Sequence, residues 1–102
     1  MVYNKLVRDK IPAIIEANGQ KPVTRILNEE EYMASLEQKM DEEVQEFHRD
    51  QNLEELADIL EVVYARTEAK GHSIAELTET CDRKRNARGG FRERIFLVSN
   101  EG

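Results

Sequence analysis

The stretch DEEVQEFHRDQNLEELADILEVVYA, from Asp41 to Ala65, decides the fold of this 102-residue chain. Apolar residues recur every three or four positions on either side of Gln51 and Asn52, which is the spacing of an amphipathic helix. A connection this short predicts an antiparallel helical hairpin. Eight carboxylates lie between Asp41 and Asp58, next to the residues that should form the core.

The same periodicity predicts further helices on both sides of the hairpin, so the expected fold class is mainly α. Four helices are predicted: one from Pro12 to Asn18–Gly19, one over residues 29–50, one over 53–70 and one from Ser73 to Arg88. Asn28, Asn52 and Ser73 stand at positions where helix caps are preferred. Residues 23–27 and 93–98 have the composition of short strands, so the two segments could pair as a two-stranded β ribbon beside the bundle.

Composition limits the classes of protein and of partner. The net charge of −6 conceals an acidic centre, residues 29–61, between two basic ends. This distribution lacks the continuous basic stripe of a nucleic-acid surface, so no nucleic-acid partner is expected. The N-terminus is charged and no apolar run reaches the length of a membrane span, so no membrane partner is expected either. The length suits one domain over residues 1–102, and the single cysteine, Cys81, fits a reducing cytoplasm.

Four of the carboxylates lie against apolar positions. On a helical wheel centred on Met40, Glu43 falls about 60° and Glu46 about 120° to the same side of the apolar stripe. The next helix has two apolar stripes on nearly opposite sides. Glu55 and Asp58 lie within the stripe that carries Ile59, Val62 and Ala65. Because buried carboxylates are costly unless they are paired or bound to a metal, these four residues predict a cation site.

The ligand type indicates the class of metal. Oxygen ligands alone favour a hard cation, so Mg²⁺ is expected, with Mn²⁺ as the substitute. The residues by themselves leave a second interpretation open, in which the acidic side chains form the solvated face of an ordinary helix pair.

The third helix is apolar on two faces, and one short chain offers few residues to cover both. One face carries Leu53, Leu56, Leu60, Val63 and Tyr64, and the other carries Ile59, Val62 and Ala65. We therefore expect self-association, as a homodimer or a homotetramer, to complete the helical bundle.

Two motifs carry a family resemblance. EVQE, residues 43–46, and ELAD, residues 55–58, resemble the paired E-x-x-E and E-x-x-D motifs of the all-α nucleoside triphosphate pyrophosphohydrolases, which include MazG and phosphoribosyl-ATP pyrophosphohydrolase. The stretches YNKLVRDKIPAII, VTRIL and RGGFRERIFLV are similar to a subgroup of small MazG-like proteins. The similarity extends over nearly the whole chain, which implies one MazG-like domain spanning residues 1–102.

The resemblance implies an enzyme, a Mg²⁺-dependent hydrolase that cleaves a nucleoside triphosphate between its α and β phosphates. The metal would be held by four carboxylates: Glu43, Glu46, Glu55 and Asp58. Glu43 or Glu46 would also act as the general base. Phosphate contacts are assigned to four basic residues: Arg8, Lys39, Lys84 and Arg88. Each of these also has a plainer explanation, as the partner of a nearby carboxylate or of a helix end.

The choice of substrate stays open. Only eight residues separate Glu46 from Glu55, fewer than in many members of the family, so less loop is present to recognise a base. Phosphoribosyl-ATP is the alternative substrate. A different class of protein also stays open, a helical oligomerisation or regulatory module without activity.

Overall fold

The computed structural model describes residues 2–102, and its regular structure over those residues is entirely helical. Four helices follow one another along the chain: α1 Ile11–Ala17, α2 Glu29–Asp50, α3 Leu53–Ala69 and α4 Ile74–Arg88. The prediction of a mainly α fold is confirmed, with helix ends within two residues of those expected.

Side-chain caps fix where three of the helices begin. Asn28 Oδ1 accepts a hydrogen bond from the Glu31 N–H at 2.8 Å, and the Glu31 carboxylate accepts one from the Asn28 N–H at 3.2 Å. Asn52 Oδ1 accepts from the Glu55 N–H at 2.9 Å, and Ser73 caps α4 with its hydroxyl. Such caps satisfy backbone donors that have no partner inside the helix. The cap at Asn52 also holds Glu55 in the first turn of α3.

α2 and α3 form the antiparallel hairpin that the sequence predicts. Gln51 adopts a left-handed backbone conformation, with a φ of 54°, and turns the chain between them. The contacts run in opposite directions along the two helices: Arg66, near the end of α3, pairs with Glu37, whereas Asp58 lies beside Glu43 nearer the turn. The hairpin therefore brings the two acidic motifs side by side.

The core between α2 and α3 is small. Leu36 of α2 has 2% of its surface exposed, and Val62 of α3 has 8%. The other members of the α2 stripe are half-buried: Met33, Met40, Val44 and Phe47. The face of α3 that carries Val62 thus packs on α2, while Leu56 and Leu60 on the other face are exposed.

The predicted β pair is wrong. Residues 23–27 and 93–98 belong to no strand in the described chain, and Val23, Ile26 and Ile95 are largely exposed. A two-stranded ribbon is marginal in water unless one of its faces packs on a core. Because most side chains of the two segments are exposed, with Leu27 half-buried, no apolar surface supports such a ribbon in the described chain.

The molecule is elongated, with principal extents of 63 × 32 × 22 Å. Its radius of gyration is 18.2 Å, against about 13 Å for a compact domain of this length. α4 contacts α3, but every residue from Thr78 to the C-terminus is exposed. The second half of α4 therefore projects away from the hairpin.

None of the helices in residues 2–102 combines the length and the apolar character that crossing a lipid bilayer requires.

Replacing Leu36 with alanine should lower the free energy of unfolding by about 2–5 kcal/mol, because it removes the most buried side chain of the core. The control Ile26→Ala should change stability by less than about 0.5 kcal/mol, since the Ile26 side chain is exposed. Urea unfolding followed by circular dichroism measures both. Equal losses would mean that the α2–α3 interface does not carry the fold.

Candidate metal centre

Three carboxylates from the two acidic motifs converge at the α2–α3 interface. Glu43 of α2 and Glu55 and Asp58 of α3 each offer one oxygen, and these three oxygens lie within 4.8 Å of one another. Glu55 and Asp58 are three residues apart and share one face of α3. The antiparallel packing sets Glu43 opposite them. We call these three residues the carboxylate cluster.

Two members of the carboxylate cluster each have a buried oxygen atom without a hydrogen-bond partner. Glu43 has only 6% of its surface exposed. Its Oε2 atom and the Oε2 atom of Glu55 are buried and accept no hydrogen bond from any group in the described chain. A buried acceptor that lacks a donor destabilises the folded state. The cluster is therefore suited to a ligand that brings positive charge.

The pKa values of Glu43 and Glu55 are both raised, as expected for carboxylates with too little positive charge nearby. Burial raises the pKa of Glu43, Lys39 lowers it, and Glu46 raises it again. Burial also raises the pKa of Glu55, and four nearby carboxylates add to the effect: Glu46, Asp50, Asp58 and Glu43. Glu55 lies in the first turn of α3, where the helix dipole favours negative charge. Its raised pKa therefore comes from lost solvation and from its acidic neighbours.

Glu46, the fourth predicted ligand, lies beside the cluster without converging on it. Its side chain is half-buried, and its oxygens are not among the three that meet. Its charge nevertheless raises the pKa of both Glu43 and Glu55, so it lies close enough to act on a group bound there. The wheel already places Glu46 farther from the apolar stripe than Glu43.

Two of the residues predicted to bind phosphate already lie at the cluster. Arg8, in the segment before α1, donates from Nη2 to Asp58 Oδ1 at 2.6 Å. Lys39, one turn before Glu43 on α2, holds its Nζ 3.2 Å from Glu43 Oε1. These two cations leave the Oε2 atoms of Glu43 and Glu55 unpaired. The charge of the cluster is therefore only partly balanced within the chain.

The other two predicted phosphate residues, Lys84 and Arg88, do not join the cluster within one chain. Both residues are exposed and lie on the projecting half of α4. Among the described helices, α4 contacts α3 alone. Arg88 instead lines a cavity at the end of α4, together with Arg92 and Arg94. The sequence interpretation missed that cavity, although arginines on both sides of Gly89–Gly90 were the signal for it.

The donors of the cluster fit a hard divalent cation. Mg²⁺ binds oxygens at about 2.0–2.1 Å, so ligands on opposite sides of the ion are about 4.2 Å apart. The three oxygens of the cluster lie within 4.8 Å of one another, which is close to that spacing. The cluster contains no histidine or cysteine, which are the ligands that zinc prefers. The unpaired Oε2 atoms of Glu43 and Glu55 supply free ligand positions.

Part of the chain is similar to an uncharacterized protein from Mycolicibacterium smegmatis (strain ATCC 700084 / mc(2)155), with 55% identity over 42 residues. The similar segment covers 41% of this chain and 43% of that protein, so the match spans less than half of the relative's length. No family model matches the chain, and no solved structure matches it.

Replacing Glu55 with glutamine should stabilise the metal-free protein at neutral pH. Because the pKa of Glu55 is raised in the folded state, its charged form lowers stability above that raised pKa. The penalty disappears as the pH falls to the ordinary value for glutamate, about 4.3. The stability gained by Glu55→Gln should shrink over the same window. Urea unfolding in EDTA at a series of pH values measures it.

Glu54→Gln is the matched control, since it makes the same chemical change in the same helical turn at an exposed position. It should alter stability little at any of these pH values. Added Mg²⁺ should stabilise the wild-type protein more than Glu55→Gln. Superimposable pH profiles for the two variants would contradict the assignment of Glu55 as a half-buried carboxylate whose charge is not balanced.

Proposed function

We propose that this chain is a metal-dependent nucleotide pyrophosphohydrolase. Water would attack a nucleoside triphosphate, the bond between the α and β phosphates would break, and a nucleoside monophosphate and pyrophosphate would leave. One observation carries the proposal: Glu43, Glu55 and Asp58 converge, and two of their buried oxygens have no partner. A polyanionic substrate can approach such a cluster only with a cation between them.

The residues of the site have separate roles in this proposal. Glu43, Glu55 and Asp58 hold the metal, Mg²⁺ or Mn²⁺, through their carboxylate oxygens. When bound, the ion offsets charge on the phosphates and makes a water molecule more acidic. Glu46 is the preferred general base, because it lies beside the cluster and is not one of the converging ligands. Glu43 is the alternative base, since one of its oxygens has no partner.

Basic residues at the cluster would receive the phosphates. The Arg8 side chain is more than half exposed, so exchanging its contact with Asp58 for a phosphate changes its free energy little. A guanidinium can bind two phosphate oxygens at once. Lys39 adds a point charge beside Glu43. Contacts from Lys84 and Arg88 would have to come from another copy of the chain, because α4 projects away from the hairpin.

Two alternatives accompany this proposal. Phosphoribosyl-ATP is the rival substrate, since its hydrolysis breaks the same kind of anhydride bond. A non-catalytic oligomerisation or regulatory module is the rival class of protein. The unpaired buried oxygens favour the enzyme, because a purely structural module gains nothing from leaving them unsatisfied. A cytoplasmic location, expected from the single thiol of Cys81, would supply both Mg²⁺ and nucleotides.

Pyrophosphate release from a panel of nucleoside triphosphates and phosphoribosyl-ATP, with Mg²⁺ or Mn²⁺, tests the proposal. Wild-type protein should turn over at least one member of the panel. Glu43→Gln and Asp58→Asn should each lower the rate at least about 100-fold, the scale of losing a catalytic or ligating group. Glu54→Gln should retain the wild-type rate, because its side chain is exposed and lies outside the cluster.

No turnover across the panel, together with a melting temperature that ignores divalent cations, would favour the regulatory module. Turnover that survives both Glu43→Gln and Asp58→Asn would move the active site away from the cluster.

We also propose that the chain works as a homo-oligomer, either a dimer or a tetramer. Leu53, Leu56 and Leu60 recur at helical spacing on α3 and are exposed in the single chain. The large radius of gyration supports the same conclusion, since a compact monomer of this length would bury more of its apolar surface. A second copy brings an identical stripe and can cover the first by two-fold symmetry.

Leu60→Glu should lower the molar mass measured by light scattering, because it places a charge in the middle of the exposed stripe. Glu61→Gln is the control, because Glu61 is exposed and follows Leu60 directly on α3; this variant should keep the wild-type molar mass. A wild-type protein that is already monomeric at micromolar concentration would contradict the oligomer, as would a Leu60→Glu variant of unchanged mass.

A further inference from the structure

One polar contact, besides the chain itself, joins the N-terminal segment, residues 2–24, to the helices that follow. Among the hydrogen bonds and ion pairs of the described chain, the pair between Arg8 and Asp58 is the one that connects this segment with residues 29–102. The backbone of α1, which lies in the segment, comes close to no other described helix. The residues of the segment are exposed or half-buried, and none is fully buried. The Arg8–Asp58 pair is therefore its polar attachment to the hairpin.

That contact falls on a member of the carboxylate cluster. Asp58 offers one of the three oxygens that converge, together with Glu43 and Glu55. Its Oδ1 atom accepts a hydrogen bond from Arg8 Nη2 at 2.6 Å. The same carboxylate thus belongs to the cluster and holds the N-terminal segment. A cation that binds in the cluster has to share Asp58 with Arg8.

A divalent cation and the Arg8 guanidinium would compete for Asp58. Both are positively charged, so binding both to one carboxylate places like charges next to each other, where they repel. The cation would gain further ligands, because buried Oε2 atoms of Glu43 and Glu55 have no hydrogen-bond donor. Arg8 forms no ion pair with any other carboxylate in residues 2–102. The competition therefore favours the cation.

The Arg8–Asp58 pair is also weak enough to be displaced. The Arg8 side chain is 55% exposed and the Asp58 side chain 37%, so water and salt screen their attraction. Exposed ion pairs of this kind contribute little to stability. The cation does not have to overcome a strong interaction.

We propose that the Arg8–Asp58 pair is a metal-sensitive tether: a divalent cation in the carboxylate cluster displaces Arg8 and releases the N-terminal segment from the hairpin. This inference rests on the cation site of the proposed function and adds regulation to it. The released guanidinium is then free to bind an anion. Because coupling between two binding events is reciprocal, Arg8 in turn lowers the affinity of the cluster for the cation.

Calorimetric titration of the full chain with Mn²⁺, in the absence of nucleotide, tests this coupling. Arg8→Gln should bind Mn²⁺ about three- to five-fold more tightly than wild type, which is the upper range for an exposed ion pair. Lys10→Gln is the matched control, because it removes the same charge from the same segment. Lys10 is exposed and has no carboxylate oxygen within 4.0 Å in residues 2–102. It should change the affinity less than about 1.5-fold, the effect of a screened charge.

Heteronuclear NMR relaxation reports the release of the segment itself. In EDTA, the backbone amides of residues 5–17 should be ordered in the wild type, and saturating Mg²⁺ should make them more mobile. Arg8→Gln should show the mobile values without Mg²⁺. Arg25→Gln is the control, since it removes another arginine–carboxylate pair, with Glu31 at 2.9 Å, outside the carboxylate cluster. It should leave the amides of residues 5–17 ordered in EDTA.

Equal Mn²⁺ affinities for Arg8→Gln and Lys10→Gln would overturn the tether, as would amides of residues 5–17 that are equally mobile with and without Mg²⁺. No binding of Mn²⁺ by any variant would overturn the tether together with the cation site. A chain that binds Mn²⁺ and releases the segment but cleaves no nucleotide would support the tether and contradict the pyrophosphohydrolase. The two proposals can therefore fail separately.

Discussion

The packing of α2 against α3 is the interaction on which the rest of this structure depends. Leu36 and Val62, the buried hydrophobic residues of the core, both lie in that interface. The same contact sets Glu43 against Glu55 and Asp58. Apolar burial therefore holds the carboxylates together, while each buried charge works against it. A core this small leaves little stability in reserve, so the charge of the cluster matters to the whole fold.

The chain balances that charge only in part. Arg8 and Lys39 each pair with one carboxylate of the cluster, and buried oxygens of Glu43 and Glu55 have no hydrogen-bond donor. A divalent cation would satisfy those oxygens and reduce the repulsion in one step. Stability and metal binding are then thermodynamically linked, because the folded hairpin alone assembles the ligands.

Local signals were enough to predict the helices and the approach of three of the four carboxylates to one another. Asn28 and Asn52 cap their helices by accepting hydrogen bonds from N–H groups three residues later, which is a local interaction. Helical periodicity was enough to predict that Glu55 faces α2. The prediction of a β pair failed because strand-like composition in residues 23–27 and 93–98 does not show whether a supporting surface is present, and the described chain provides none. The helical wheel gave the direction of the Glu46 side chain around the helix but not the position of its carboxylate oxygens. The structure was therefore needed to show that three carboxylates converge and that Glu46 lies beside them.

The central claim is that the carboxylate cluster binds a divalent cation, and paramagnetic NMR with Mn²⁺ tests it most directly. Amide signals around Glu43, Glu55 and Asp58 should broaden first when Mn²⁺ is added below one equivalent. Asp58→Asn should remove this localised broadening, while the dispersion of the amide signals shows that the variant is still folded. Weak broadening spread over all acidic surfaces, or broadening centred on the exposed first turn of α2, would contradict the account.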